Sequence, residues 1–216
     1  VRFSYGLQVL RLISGHFFYE SYIMDQIKKL YKTELGYLND AIKDGGSPYH
    51  TFTLSSLNNN FPEARTIVLR NILSKPLKIF FNADYRSPKV QQLLSTNNCS
   101  ALFYDQQRRV QIRFICKAII HYQNDISKKI WGSTPLQSRK CYMGPFAPSQ
   151  KLDVWHPNIP EEYLKSDPER KHSEEGYINF SHIELEIFET DVLHLHHDGH
   201  IRFKVDNRNN LSYISP

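Results

Sequence analysis

The segment Arg86-Ser87-Pro88-Lys89 has the residue types of an anion site at the start of a helix. Serine is a favoured N-cap residue, and proline is tolerated at the first helical position because an N–H there would be unpaired. A helix start presents free N–H groups and the positive end of the helix dipole, which attract anions. Arg86 and Lys89 add two cations at that point. A capped helix with solvated charges has the same local pattern, so both interpretations stay open.

A second basic segment runs from Arg65 to Arg70. If it is a strand, side chains alternate between two faces. Arg65 could then bind a phosphate near the start of the strand, while Arg70 would contact a different group on the opposite face of the sheet. The face of Arg65 also carries Ile67 and Leu69, and the other face carries Thr66, Val68 and Arg70.

Gln111 and Arg113 share one face of another predicted strand. Polar side chains on a half-buried sheet need hydrogen-bond partners. Gln111 has both a donor and acceptors, which suits the edge of a heteroaromatic ring.

Four histidines near the C-terminus raise the question of a metal site. His194 and His196 share a face of a strand, and His197 and His200 follow across a predicted Asp198-Gly199 hairpin turn. Imidazoles bind zinc and copper, but no cysteine or glutamate in the run completes a familiar ligand pattern. We expect no metal.

Hydrophobic periodicity predicts the elements that position these residues. From Tyr22 to Ile42 apolar residues recur at helical spacing, with Ser21 as the expected N-cap and Gly45-Gly46 as the stop. After Pro48 the period changes to two, which predicts strands at about 51–54, 65–72, 77–82, 99–104, 109–122, 178–188, 191–196 and 200–205. Short helices are expected near 87–96 and 125–132, and a surface loop over 151–176. Many short strands favour a mainly β antiparallel barrel or sandwich with flanking helices.

Composition and charge indicate where the protein is found and which partners it binds. The 216 residues carry a net charge of +5 and three widely spaced cysteines, and no apolar run has the length of a membrane span. We expect a cytoplasmic protein with one domain over residues 21–216, preceded by an extension, residues 1–20, of unknown role. No strand interleaves aromatic and basic residues as nucleic-acid platforms do, so no nucleic-acid partner is expected.

In their order and spacing these segments resemble the pyridoxamine 5′-phosphate oxidase family of FMN-binding split barrels. The matching strings are Pro62-x-Ala64-Arg65-Thr66-Ile67-Val68-Leu69-Arg70, Phe80-Phe81-Asn82-Ala83-Asp84-Tyr85-Arg86-Ser87-Pro88-Lys89, Ala101-Leu102-Phe103-Tyr104 and Gln111-Ile112-Arg113. The resemblance implies a six-stranded antiparallel split barrel with Greek-key connections. It also implies a homodimer with two FMN molecules at the subunit interface.

Carried over by position, the resemblance assigns cofactor contacts. Arg65 and Lys89 would hold the FMN phosphate, with Ser87 capping the nearby helix. Gln111 would bind the isoalloxazine edge, and the backbone from Ile67 to Leu69 would lie along the ring. The remaining cofactor contacts are expected from Thr66, Val68, Arg70, Arg86 and Arg202.

The departures from the family pattern affect the cofactor and substrate assignments. Pro88 replaces an arginine before the phosphate lysine, and Arg86 is expected to supply the lost cation. Of the positions that grip substrate phosphate, Ile130 and Thr134 have lost the family's residue types.

Substrate contacts are therefore expected only from Arg70, Ser138 and His196. One alignment of the late family motif keeps His196 in register. An alternative, which we prefer, places Arg202 near the flavin pyrimidine ring, where reduced flavin carries negative charge.

These features predict an FMN-dependent oxidoreductase of uncertain substrate that resembles the divergent oxidase-like branch of the family. No catalytic acid or base is assigned, because the flavin ring carries out the difficult chemistry. A non-catalytic flavin carrier or sensor would have the same pocket and remains the alternative.

Overall fold

A computed structural model describes residues 16–216, with side chains from residue 23 onward. Of the expected extension 1–20, residues 1–15 lie outside the described part, and residues 16–20 belong to the first helix.

The first helix, α1, spans His16–Asp40. Its periodic apolar residues face the sheet as predicted, with Ile27 and Leu38 in the core. Ser21 lies within the helix, so the predicted N-cap is wrong. The helix ends before the predicted stop, and Gly45-Gly46 belongs to a following turn.

Residues 16–216 form nine strands instead of the six that the family resemblance implied. They are β1 Thr51–Asn58, β2 Phe61–Val68, β3 Asn71–Ser74, β4 Leu77–Asp84, β5 Asn98–Asp105, β6 Val110–Tyr122, β7 Phe180–His194, β8 Ile201–Asp206 and β9 Leu211–Tyr213. Two predictions of boundaries were wrong: the run 65–72 is divided between β2 and β3, and the runs 178–188 and 191–196 form the single strand β7. Strand β9 was not predicted.

The strands form one antiparallel sheet in the order β2-β1-β5-β6-β7-β4-β3, and β8 pairs with β7 and β9. The ladder does not close, but the edge strands β2 and β3 are consecutive in the chain. Between them, the N–H of Leu69 donates to the carbonyl of His50 at 2.9 Å and that of Arg70 to the carbonyl of Phe80 at 2.8 Å. The chain thus crosses from one edge of the sheet to the other. The result is a mainly β split barrel, in which the sheet curves around a hydrophobic core without closing.

Helices cover parts of this barrel. Helix α2, Pro88–Ser95, buries Val90 and Leu93, and α3, Asp125–Ser133, buries Trp131. Two short helices follow, α4 Leu136–Arg139 and α5 Arg170–Ser173. The predicted loop 151–176 is irregular except for α5 and 3-10 turns at Glu161–Tyr163 and Glu174–Asn179.

In the part of the chain that the structure describes, no helix is both long and apolar enough to cross a membrane.

Candidate functional site

Strand β2 and the two residues that follow it alternate as the sequence predicted. Ile67 and Leu69 are buried in the core, whereas Thr66 and Arg70 are exposed on the opposite face. Arg65 lies on the inner face, beyond the last core residue, at the end of the barrel that α2 covers.

Hydrogen bonds fix the guanidinium of Arg65 against α2. It donates to Ser56 Oγ at 2.6 Å and to Gln92 Oε1 at 3.0 Å, and it pairs with the carboxylate of Glu63 at 3.3 Å. Hydrogen bonds from Asn58 and Gln92 keep the pKa of Glu63 below its usual value. Burial lowers the pKa of Arg65. The barrel end is therefore polar and held in a fixed geometry before any ligand binds.

Lys89, in the first turn of α2, is half-buried and near enough to Arg65 for the two charges to repel each other. Among the described residues it has no hydrogen-bond or ion-pair partner for its ammonium group. Burial lowers the pKa of Lys89, and repulsion from Arg65 lowers it further. Two cations that converge in this way favour an anion between them.

The other predicted phosphate residues are already engaged. Ser87 occupies the N-cap position of α2, but its side chain makes no capping hydrogen bond, so that part of the prediction was wrong. Its hydroxyl instead donates to the carbonyl of Asp84 at 2.6 Å. Arg86 donates to both carboxylate oxygens of Asp84, at 3.0 and 2.7 Å, and to the carbonyl of Gly144 at 3.1 Å.

The predicted substrate residues Arg70 and Ser138 are not joined by any hydrogen bond. Arg70 is exposed beyond the end of β2, and its positive charge acts on the nearby hydroxyl of Tyr142. Ser138 is half-buried in α4, and its backbone N–H donates to the carbonyl of Pro135. Thr134, which replaces a family arginine, donates its hydroxyl to the carbonyl of Ile130 at 2.9 Å.

A second polar group lies on the outer face of β6, β7 and β8. Gln111 is paired with Leu193, Arg113 with Asp191, and Leu193 with Arg202 across the strands. Asp191 is 1% exposed and accepts hydrogen bonds from Arg113 at 2.5 Å and from Arg202 at 3.0 and 2.8 Å. Burial opposes the charge of Asp191, but Arg202 and Arg113 outweigh it and lower the pKa of the carboxyl group.

Sequence reasoning missed Asp191. The available signal was Arg113 itself, because an arginine on a half-buried strand requires an acidic partner. The charges of Arg113, Arg202 and Asp191 sum to +1, so the group retains the positive charge expected near Arg202.

Two buried nitrogen atoms have no hydrogen-bond partner among the described residues. They are Nε of Arg113 and, in a separate cluster, Nε2 of His121.

His196 and Arg202 line a common cavity of about 560 Å³ between α1 and the hairpin formed by β7 and β8. His196 Nε2 lies 3.3 Å from Nδ1 of His194. Burial, and then the proximity of His196, lowers the pKa of His194. Gly199 has a φ of 121° in the hairpin turn, as the Asp-Gly signal predicted. Among the side chains of residues 23–216, no group of three or more His, Cys, Asp or Glu is placed to hold a metal ion.

The two polar groups are well separated within one chain. Thr66 pairs with Thr53, Thr53 with Leu102, and Leu102 with Arg113. These are three strand-to-strand steps, which at about 4.8 Å each place β2 and β6 roughly 14 Å apart. Arg65 and Lys89 therefore form one part-site, and Gln111 and Arg202 belong to another.

Comparison with known proteins agrees with this architecture. Residues 34–122 match the family model of the pyridoxamine 5′-phosphate oxidase FMN-binding domain. The fold is similar to that of a pyridoxamine 5′-phosphate oxidase-related, FMN-binding protein from Nostoc punctiforme, with 18% identity, a TM-score of 0.67, and coverage of 86% of this chain and 97% of that chain. No curated protein matches the chain.

Two further solved structures share the fold. PhzG from Burkholderia lata, in complex with tetrahydrophenazine-1-carboxylic acid, has 18% identity and a TM-score of 0.59, over 87% of this chain and 91% of that chain. ChuZ from Campylobacter jejuni has 11% identity and a TM-score of 0.52, over 87% of this chain and 63% of that chain. The family resemblance and the mainly β split-barrel fold are confirmed.

Proposed function

We propose that the protein binds FMN between two copies of its chain and is an FMN-dependent oxidoreductase. The observation that carries the proposal is the convergence of Arg65 and Lys89. Both cations lie in the segment that matches the FMN-binding family, and the Lys89 ammonium feels the charge of Asp84 but forms no hydrogen bond or ion pair with any described residue.

The phosphate of FMN would bind between Arg65 and Lys89. Arg65 is already oriented by Ser56 and Gln92, so little side-chain entropy is lost when it binds an anion. Arg86 would act from further away, because its guanidinium is held by Asp84. Its role is to fix the turn that leads into α2.

The ring of FMN would bind the outer-face group. The side-chain amide of Gln111 forms no hydrogen bond within the described part of the chain and can face the ring edge with a donor and an acceptor. The unpaired Nε of Arg113 is a further donor for such a ligand. Arg202 would lie near the pyrimidine ring, and exposed Thr66 and half-buried Val68 would flank it on β2.

A homodimer would bring the two part-sites together. They are several strands apart within one chain, so the phosphate group of one copy and the ring group of its partner would complete each site. The outer face of β5 and β6 also exposes apolar side chains, which supports an interface there. They are Leu102, Tyr104, Ile115 and Ile119, each between 36% and 46% exposed.

When bound, FMN supplies the redox chemistry by accepting a hydride or two electrons from a small substrate. The residues of the chain bind its phosphate, orient its ring, and place positive charge beside it through Arg113 and Arg202. That charge stabilises the reduced, anionic form of the ring. No acid or base from the chain is assigned to the reaction.

The colour of the purified protein tests the proposal. We expect absorbance near ~450 nm, a property of the flavin itself, and release of FMN instead of FAD on denaturation. Anaerobic mixing with candidate amines, alcohols or reduced cofactors should bleach this band in a single turnover. A colourless protein without affinity for added FMN would refute the binding proposal. Tight binding without reduction by any donor would favour the carrier or sensor alternative.

A further inference from the structure

The 560 Å³ cavity between α1 and the β7–β8 hairpin has the size of a small-molecule site. Its inner surface is apolar. Ile23, Ile27 and Leu30, which recur at helical spacing along α1, face Ile201 and Ile214 from the sheet side. Such a surface accommodates a flat, apolar ring system.

The rim of the cavity is polar and carries more positive than negative groups. Gln26, Lys29 and Thr33 follow one another on the same side of α1. Among the described residues that line the cavity, Asp198 is the one carboxylate.

The cations of the rim are not equally free. Arg202 is held by two hydrogen bonds to Asp191. Lys29 is exposed and has no ion-pair partner among the described residues, in contrast to its neighbour Lys28, which lies 3.8 Å from Asp25. His196 shares a hydrogen bond with His194, whose neutral form is favoured by burial. The rim therefore offers one free full charge and additional neutral donors.

We propose that this cavity is the substrate pocket and that its ligand is a planar, apolar ring bearing a single carboxylate. This assignment rests on the proposed flavin function, because Arg202 would border both the ring of FMN and the cavity. The ring would pack on Ile23, Ile27 and Leu30, and the carboxylate would bind Lys29, with Thr33 or His196 as a second donor.

A monoanion suits this rim better than a phosphate does. Phosphate sites in proteins usually combine several free donors, and arginine is preferred for its paired geometry. Here Arg202 is committed to Asp191, which leaves Lys29 as the one cation of the described rim residues without an ion-pair partner. A phosphorylated substrate would leave part of its charge without a partner.

Isothermal titration calorimetry of the full chain with 1-naphthoate and its neutral analogue 1-naphthamide tests the proposal. A charge-assisted hydrogen bond should make naphthoate bind about tenfold more tightly than the amide. Lys29→Met should remove this preference without weakening the amide, whereas the matched control Lys28→Met should leave both affinities unchanged. Gln26→Trp, which fills the cavity, should weaken both ligands. 1-Naphthyl phosphate should bind no more tightly than naphthoate.

The flavin spectrum separates this proposal from the previous one. In protein that carries FMN, saturating naphthoate should shift the flavin absorbance, because the ligand lies beside the ring. Equal affinities for acid and amide, equal effects of the two lysine variants, or an unchanged flavin spectrum would each overturn the pocket assignment. Protein that binds no FMN but still prefers naphthoate through Lys29 would refute the flavin function and support the ligand class.

Discussion

Asp191 binds Arg202 through two hydrogen bonds, so the arginine that the sequence places near a flavin ring is oriented by a buried carboxylate on the adjacent strand. Arg113 reaches the same carboxylate from β6. Because two guanidinium groups share one negative charge, the outer face keeps a net positive charge in a fixed position. The orientation of the proposed ring site thus depends on a residue that would not touch the cofactor.

Asp191→Asn should therefore destabilise the protein and change the flavin. Removing one member of a buried ionic group leaves the other charges uncompensated, and we expect a loss of about 3 kcal/mol in the free energy of unfolding, measured in urea. The added positive charge should also shift the flavin midpoint potential to more positive values. Glu189→Gln, on the same strand as Asp191, removes a partly exposed ion pair with Lys204 of β8; it is the matched control and should change neither quantity. An unchanged potential would place Arg202 away from the ring.

The phosphate assignment predicts a selective loss of FMN. Lys89→Ala should weaken FMN binding by at least about tenfold, and the double variant Arg65→Ala with Lys89→Ala should abolish its retention during purification, because a charge-assisted contact is worth roughly 1.5–3 kcal/mol.

Riboflavin, which lacks the phosphate, provides the internal control. Its affinity should be the same for the wild-type protein and for Lys89→Ala. If both flavins lose affinity equally, Lys89 acts on the fold or on the ring instead of the phosphate. Fluorescence quenching measures both titrations.

The alternation of apolar residues predicted most of the strands, because one buried face imposes a period of two regardless of tertiary context. It did not predict the break after Val68. The backbone there switches partners from His50 to Phe80, and the side chains of Leu69 and Arg70 continue the same alternation across the break. Strand pairing over a long separation in sequence therefore decided this boundary.

The residues of the candidate site also fall into those that local sequence signals predict and those that depend on distant strand pairing. Arg65 and Lys89 could be predicted because a capped helix start and a nearby strand have local signals. Arg113 indicated an acidic partner but not which one, since Asp191 follows Glu189 and Thr190 in the chain and is singled out only by the arginines on two neighbouring strands. For Ser87 the N-cap position was predicted correctly, but its hydroxyl donates to the carbonyl of Asp84 and accepts no N–H from the first turn of α2.

The dimer proposal predicts that a charge on the outer face separates the subunits. Ile115→Asp, with Leu102→Asp as a second variant, should convert the protein to a monomer and release FMN, because each site would lose the partner's residues. Size-exclusion chromatography with light scattering measures the mass. Ile126→Asp, at an equally exposed position on α3, should leave the dimer intact. A monomeric variant that retains FMN would show that one chain contains the entire site.

Buried His182 should make the protein sensitive to acid. Its Nδ1 lies 2.8 Å from Oδ1 of Asn82, its ring stacks on Phe80, and burial followed by repulsion from His121 lowers its pKa from 6.5 to about 4. The unfolded chain then binds more protons than the folded chain between these values. The stabilisation by neutral His182 is complete above pH 6.5 and is lost as the pH falls towards 4.

His182→Asn keeps a donor for Asn82 and removes this titration. Between pH 7.5 and 4.5 the wild-type protein should lose about 2 kcal/mol more unfolding free energy than the variant does. Urea unfolding at both pH values measures the difference, and His172→Asn, at an exposed histidine, should retain the wild-type pH dependence. If His182→Asn and the wild type lose stability in parallel, folding does not lower the pKa of His182, and the charge of Glu184 offsets the effects of burial and of His121.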